Sequence, residues 1–308
     1  MQILVTGGAG FIGSHVSDAL LAQGHDVVVL DDLSTGRREN VPQGASLEVL
    51  DIRSDEAADL IRRGDFDTLV HHAAQMDVRR STEDPRFDAD VNILGTLNLL
   101  QAAVDGGVRQ VVFASTGGAI YGEQEVFPAT EEHPTRPVSP YGVSKLAGER
   151  YLYYFHTGHG LHATCLRYAN VYGERQSPHG EAGVVAIFLH RMLRGETPII
   201  NGDGLQTRDY VHVSDVVKAN LAVLGQSGFQ TFNVGTGIET TVVELFGALR
   251  SALGSEVEAE HGPAKPGEQR RSVIDGALLR RTFDLPEPLA LQDGLKLTAD
   301  WFRQHAGV

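Results

Sequence analysis

The sequence predicts an α/β fold, a doubly wound parallel sheet with helices on both faces. Three observations carry this. Strand-like and helix-like segments alternate through the first half of the 308 residues. The strand-like runs are continuously apolar and rich in branched residues, as strands buried on both faces are. A glycine-rich turn lies between the first such run and the first helix.

Ile3-Leu4-Val5 is the first expected strand, and Ser14 to Gln23 reads as a helix. Between them, Gly7, Gly8, Gly10 and Gly13 fit both G-x-x-G-x-x-G and G-x-G-x-x-G. Such a turn lets backbone approach a pyrophosphate, which then meets the unpaired N–H groups and positive dipole end of the helix. Val27 to Leu30 is the second strand and ends in Asp31-Asp32. A carboxylate there can accept both ribose hydroxyls and repels a 2′-phosphate, so NAD is expected over NADP. Arg37 and Arg38 offer charge for such a phosphate, but Asp31 stands ahead of them. Strand, turn, helix, strand and acid in this order predict a Rossmann-type site.

Glu48 to Leu50 is the third strand, ending at Asp51, which suits either an adenine amino group or a helix cap. Ser54 to Arg63 reads as a helix capped by Ser54. Thr68 to His71 is the fourth strand, Asp88 to Val104 one long amphipathic helix, and Gln110 to Ala114 the fifth strand. Tyr141 to about His156 is helical, and His162 to Leu166 is the sixth strand. In such sheets ligands bind beyond the strand C-termini, which marks 7–13, Asp31, Asp51, 72–76, 115–118 and 168–173.

The pattern then changes. Gln176 to Gly180 reads as a loop and Gly202-Asp203-Gly204 as a turn. Gly183 to Arg194, Asp215 to Leu224, Val242 to Leu253 and Leu289 to Gln304 read as helices, and Thr231 to Val234 as a strand. Residues 1–170 are expected to bind NAD. Residues 171–308 are expected to form mainly a smaller α/β substrate domain, with segments around 207–240 returning to the first.

Hydrophobic residues make up 42% and charged residues 21%, the composition of a globular chain, and the net charge of −14 argues against nucleic acid and anionic membranes as partners. The single cysteine, Cys165, lies in a strand-like run and reads as core. One cysteine allows no internal disulfide, which suits a reducing compartment. The first residues already read as strand and no apolar run reaches spanning length, so a cytoplasmic protein is expected. His71 and His72 lack a ligand-like neighbour. His156, His159 and His162 recur every three residues, with Gly158 and Gly160 expected to break the helix between them, so no metal site is expected.

Pro140-Tyr141-Gly142-Val143-Ser144-Lys145 carries the chemistry. A tyrosine and a lysine four apart share one helix face. An ammonium beside the phenol, with a positive nicotinamide, is expected to lower the phenol's pKa and make it a general base near neutrality.

The chain resembles the extended short-chain dehydrogenase/reductases, and among them the UDP-glucose 4-epimerases. The likeness rests on 6–15, Asp31-Asp32-Leu33, His72-Ala73-Ala74, Asn92, 114–122, Tyr141 with Lys145, 166–173 and 208–213. It implies Tyr141 as base, Lys145 as its electrostatic partner and Thr116, or else Ser115, as the hydroxyl that orients the sugar. It places Gly7, Gly10, Phe11, Ile12, Gly13, Asp31, Asp32, Asp51, Ile52, His72, Ala73, Ala74, Asn92 and Tyr168 beside NAD. Beside the substrate it places Thr116, Gly117, Asn170, Val184, Arg208, Tyr210, Glu268 and Ser272. Arg208 would hold the diphosphate, Asn170 the nucleotide sugar, Tyr210 the uridine side and Glu268 the uridine ribose. Lys265 stands where the family has arginine, and Met76 replaces a cofactor-side lysine.

The implied reaction is epimerisation at C4 of a UDP-hexose through a transient 4-ketosugar, in a homodimer. A small Ser272 beside the C2 substituent extends the expected substrates to N-acetyl sugars. Another NAD-dependent nucleotide-sugar epimerase is an alternative of the same chemistry, and two rivals of other kinds stand beside it. A nucleotide-sugar 4,6-dehydratase needs an acid pair where Gly117-Gly118 stand, and a non-catalytic dinucleotide sensor needs no Tyr–Lys pair.

Overall fold

The computed structural model describes residues 1–179, 183–264 and 269–305. It opens with β1 (Gln2–Thr6), α1 (Phe11–Ala22), β2 (Asp26–Leu30), β3 (Ser46–Glu48), α2 (Asp55–Arg63) and β4 (Thr68–His71). There follow α3 (Val78–Glu83), α4 (Pro85–Ala89), a π-helical segment (Asp90–Gly95), α5 (Thr96–Asp105), β5 (Gln110–Thr116), α6 (Pro140–His159) and β6 (His162–Tyr168). The second half holds β7 (Asn170–Tyr172), α7 (Val184–Leu193), β8 (Ile199–Asn201), β9 (Thr207–Arg208), β10 (Tyr210–His212), α8 (Val213–Ala222) and β11 (Phe229–Val234). It ends with β12 (Thr240–Thr241), α9 (Val242–Leu253), β13 (Glu260–Gly262), β14 (Arg271–Ser272), α10 (Ala277–Phe283) and α11 (Leu291–His305).

Seven strands form one sheet in the order β11-β6-β5-β4-β1-β2-β3, every pair parallel. The order reverses between β1 and β4, and the crevice above that switch point is where such sheets take ligands. Alternation along β1 explains its unbroken apolar run. Ile3 and Val5 pack with Val16 and Leu20 of α1 and Val216 and Ala219 of α8, while Leu4 packs on the other face with Ile61 of α2 and Leu99 of α5. A third core of Phe188, Leu189, Leu245, Phe246, Leu295 and Ala299 joins α7, α9 and α11 in the second half. Three smaller sheets lie outside the main one: β7 with β10, β9 between β12 and β14, and β8 with β13.

The third strand lies at Ser46–Glu48, earlier than the expected Glu48 to Leu50. Its partner β2 ends at Leu30, which pairs with Glu48, so no ladder remains for the residues beyond. The long helix expected from Asp88 is one rod in three parts. Asp84 caps α4 through a 3.0 Å bond from Phe87 N, and the rod widens to a π turn at Asp90–Gly95 before α5. Gly95 lets that wide turn settle on Ile52, whose side chain would lie 2.8 Å from any Cβ there.

Helix α6 runs through Gly158, contrary to expectation, and ends at Gly160 in the left-handed conformation with φ of 74°. A single interior glycine costs a helix only about 1 kcal/mol, which this long packed helix absorbs. Cys165 is fully buried in β6. Among the described residues no group of three or more His, Cys, Asp or Glu could hold a metal ion, and no helix is long and apolar enough to cross a membrane.

Candidate active site

The glycine-rich turn is set by backbone. Gly7 has φ of 69°, and a Cβ on it would lie 2.6 Å from Ala73 N. A Cβ on Gly13 would lie 2.2 Å from the Gly7 carbonyl oxygen, so α1 closes tightly onto the turn. Gly10 precedes α1 without a side-chain cap, and no acid lies in the first turn. The opening N–H groups, those of Phe11, Ile12 and Gly13, therefore have no side-chain acceptor, which suits a pyrophosphate.

Asp31 lies at the C-terminal end of β2 and is buried. Its Oδ2 accepts from Ala9 N at 3.0 Å and its Oδ1 from Leu33 N at 2.9 Å. Burial pushes its carboxyl up, against the pull of those two N–H groups. Asp32 is turned outward to Ser34, whose backbone N and Oγ donate to Oδ1 at 2.9 and 2.6 Å. Asp51 chelates Arg53, which holds its carboxyl below the usual range, and Arg53 also reaches Asp90 at 2.6 Å. Ile52 sends its side chain into the core, and its carbonyl accepts from Asn98 at 2.9 Å.

The loop after β4 is clamped from several sides. Ala73 N donates to Thr6 Oγ1 at 3.3 Å, and Ala74 is half-buried beside it. Asn92 takes Gln75 N at 2.9 Å and gives its amide to Gln75 O at 2.8 Å. Its amide is thus spent on the loop, so its bearing on a cofactor runs through that loop. His72 Nε2 lies 3.1 Å from the Tyr168 hydroxyl, which accepts from Asn220 Nδ2 at 2.9 Å. Burial and the Lys145 charge push the imidazole down to about 3, so it is neutral. Met76 is 59% exposed at the lip of this loop.

Tyr141 and Lys145 open α6, which Ser139 caps through a 3.2 Å bond from Gly142 N, with Pro140 leading. Lys145 is 4% exposed, donates to Ala114 O at 2.9 Å, and holds its ammonium 5.9 Å from the centre of the Tyr141 ring. Burial pushes the lysine down to about 8 despite the opposing pull of Asp88. The expected lowering of the phenol is not seen in the chain alone. Burial, and then the Asp88 carboxylate, raise Tyr141 above its ordinary value, and Lys145 is bound by a carbonyl of β5.

Of the two candidate hydroxyls, Ser115 is buried and donates to Glu149 Oε1 at 2.6 Å. It is committed to the interior, and Thr116, half-buried at the end of β5, remains. A Cβ on Gly118 would lie 3.8 Å from both Thr116 Oγ1 and Asn170 Oδ1, so these two side chains flank one open spot. Among the described residues the Asn170 amide has no hydrogen-bond partner, and its backbone N donates to Asp209 O at 2.9 Å. A Cβ on Gly117 would lie 2.5 Å from Ile274 Cδ1.

Arg208 is half-buried on β9. Its sequence neighbour Asp209 is turned inward, accepting from Thr236 Oγ1 at 2.6 Å and Gly237 N at 3.1 Å. Ser272 is buried on β14 directly beside Arg208. Tyr210 is buried in the third core, and Val184 packs against that core at the start of α7. Glu268 and Lys265 lie outside the described residues.

Two features have little signal in the sequence. One is the buried ion pair of Arg167 with Glu149, 2.7 Å between Nη2 and Oε2, which also takes Ser115 and the Tyr121 hydroxyl. Its only trace is Glu149 standing four residues after Lys145. The other is Asp88, fully buried beneath Ser144.

The model of a family described as "NAD dependent epimerase/dehydratase family" matches residues 3–235. A putative UDP-glucose 4-epimerase of Methanocaldococcus jannaschii is 44% identical over 99% of this chain and 99% of its own. A Thermotoga maritima UDP-glucose 4-epimerase, crystallised with UDP-glucose, is 45% identical with a TM-score of 0.95, covering 99% of each chain. The Thermus thermophilus UDP-glucose 4-epimerase, in complex with NAD, is 46% identical with a TM-score of 0.92, covering 98% of this chain and 99% of that one.

Proposed function

The chain belongs to the NAD dependent epimerase/dehydratase family, and from that premise we propose that it inverts C4 of UDP-hexoses, interconverting UDP-glucose and UDP-galactose. Bound NAD would accept the C4 hydride and return it. The uncapped first turn of α1, the Asp31 carboxylate and Lys145 are the groups that fit it. Tyr141 takes the proton of the sugar 4-hydroxyl and gives it back on the other face. Lys145, anchored on Ala114 O, stabilises the phenolate formed in between. Thr116 orients the sugar hydroxyl. Arg208 grips the diphosphate with its guanidinium fork, and Asn170 offers its amide to the nucleotide sugar. Strong contacts on UDP and weak ones on the hexose let the 4-ketosugar turn over without escaping.

Gly117-Gly118 carry this reading over water elimination. A dehydratase needs acid and base side chains there, and neither glycine supplies one; a Cβ on Gly117 would also meet Ile274 Cδ1 at 2.5 Å. A non-catalytic sensor would have no use for a buried lysine beside a phenol.

Residues 1–170 form the NAD-binding part of this reading and 171–308 mainly the substrate part. Small Ser272 beside Arg208 supports N-acetylhexosamine substrates as well. The protein is read as a cytoplasmic homodimer paired through α5 and α6, where Tyr153 and Tyr154 are 53% and 55% exposed while Phe155 turns into the core.

The test is to incubate the purified protein with UDP-galactose and UDP-N-acetylgalactosamine and identify the products. The matching 4-epimers should form with no net NADH. A 4-keto-6-deoxy product would replace this reading with dehydration, and no turnover with added NAD would leave the sensor. Tyr141→Phe should lower kcat by about 10²- to 10⁴-fold while still binding UDP. Unchanged turnover would remove Tyr141 as base.

A further inference from the structure

Asp88 on α4 is fully buried, and its neighbours are neutral donors. Its Oδ2 accepts from Ser144 Oγ at 2.6 Å, on the catalytic helix between Tyr141 and Lys145. Its Oδ1 accepts from Asn92 Nδ2 at 3.0 Å and from Gln75 Nε2 at 3.1 Å. Gln75 in turn belongs to the loop that leaves β4 through His72, Ala73 and Ala74. Every polar atom of Gln75 is engaged: N and O by Asn92, Oε1 by Asp77 N at 2.7 Å, Nε2 by Asp77 O at 2.8 Å as well as by Asp88. Tyr141 N is held from the same side by Ser81 Oγ at 3.3 Å.

We propose that Asp88 is a positioning residue for the reaction, locking the cofactor-side loop after β4 to the Tyr141–Lys145 helix so that hydride and proton acceptors keep one spacing. This rests on the epimerase reading for what the spacing is for. The lock itself stands on the geometry. A buried carboxylate costs several kcal/mol unless hydrogen bonds repay it, and three donors converge here. An amide or hydroxyl can tie two segments, but only a carboxylate accepts from three donors on three segments without offering a proton of its own. The charge has a second effect. The titratable groups it acts on are Tyr141 and Lys145, both on α6, and it opposes ionisation of the first and favours that of the second.

Three variants of the NAD-loaded protein test this. Ser144→Ala removes only the α6 end of the lock. It should lower kcat roughly tenfold with KM for the UDP-sugar and NAD affinity unchanged, because misplacing reacting groups by a fraction of an ångström costs rate rather than binding. Asp88→Ala should lower kcat further in the same way. Asp88→Asn keeps hydrogen-bonding groups on all three neighbours but loses the charge. The Tyr141 phenol, followed by carbon-13 tyrosine NMR and assigned with Tyr141→Phe, should then titrate about one pH unit lower. The pH midpoint of kcat/KM should move with it, which a purely structural residue would not cause. A folded Asp88→Asn protein with the parent's phenol midpoint and kcat overturns the proposal. If the Asp88 variants do not fold, parental kcat in Ser144→Ala overturns it. If the parent turns over no UDP-sugar, the epimerase reading falls and the phenol midpoint still decides the role of Asp88.

Discussion

Replacing Lys145 by methionine should change how stability depends on pH. Lys145 is 4% exposed, and its folded-state pKa is down from 10.5 to about 8, mainly through burial. That fall corresponds to about 3 kcal/mol. The sign follows from proton binding. Between about pH 8 and 10.5 the unfolded chain still holds the lysine proton while the folded chain has lost it, so stability rises with pH across that window. Below pH 8 both states are protonated, and the fold carries the whole penalty of a buried ammonium. Lys145→Met removes the titration and leaves Ala114 O without its donor, a loss of about 1–3 kcal/mol that does not vary with pH. Urea unfolding of the NAD-free parent and variant, from pH 7 to 11, isolates the effect because every other group cancels in the difference. The parent should gain about 3 kcal/mol on the variant across the window. Parallel curves would refute the assignment of a buried ammonium held at the active site at a cost to the fold.

Three further outcomes follow from the same geometry. Ser272→Tyr puts a large ring beside Arg208, so turnover of UDP-N-acetylgalactosamine should fall at least tenfold while UDP-galactose is still used, as read by product chromatography. Glu149→Ala leaves the Arg167 guanidinium buried without its carboxylate and should cost about 3–5 kcal/mol in urea unfolding, whereas Glu149→Leu combined with Arg167→Met should cost much less. Gly117→Asp should lower stability by displacing Ile274 and should produce no 4-keto-6-deoxy sugar, checked by thermal unfolding and mass spectrometry of the products.

The parts of the site that depend on local chain chemistry were legible in the sequence. Gly7 and Gly13 announce the turn because only glycine fits there, and the i, i+4 spacing of Tyr141 and Lys145 places them on one face of α6. The buried strands were legible because both faces of β1 are covered, which leaves an unbroken apolar run. What escaped depends on partners distant in the chain. Asp88 reads as an ordinary early-helix acid until Gln75 and Ser144 close on it. Ser115 and Thr116 are equivalent hydroxyls until Glu149 claims the first. The rise of the phenol's pKa in the chain alone has no sequence signal for the same reason, since burial and Asp88 act on it through space. The extent of β3 was set by where β2 stops and not by its own residues.

The chain leaves the main sheet after β6 and comes back sixty residues later, at Phe229, to lay β11 along it. A fragment cut near residue 170 would therefore expose the whole outer edge of β6, six residues of unpaired backbone from Ala163 to Tyr168, beside an apolar surface stripped of α8. Bare edges of this kind recruit other chains. The rim of the sheet that the first half builds is thus closed by a strand from the second half, and the two halves share one sheet.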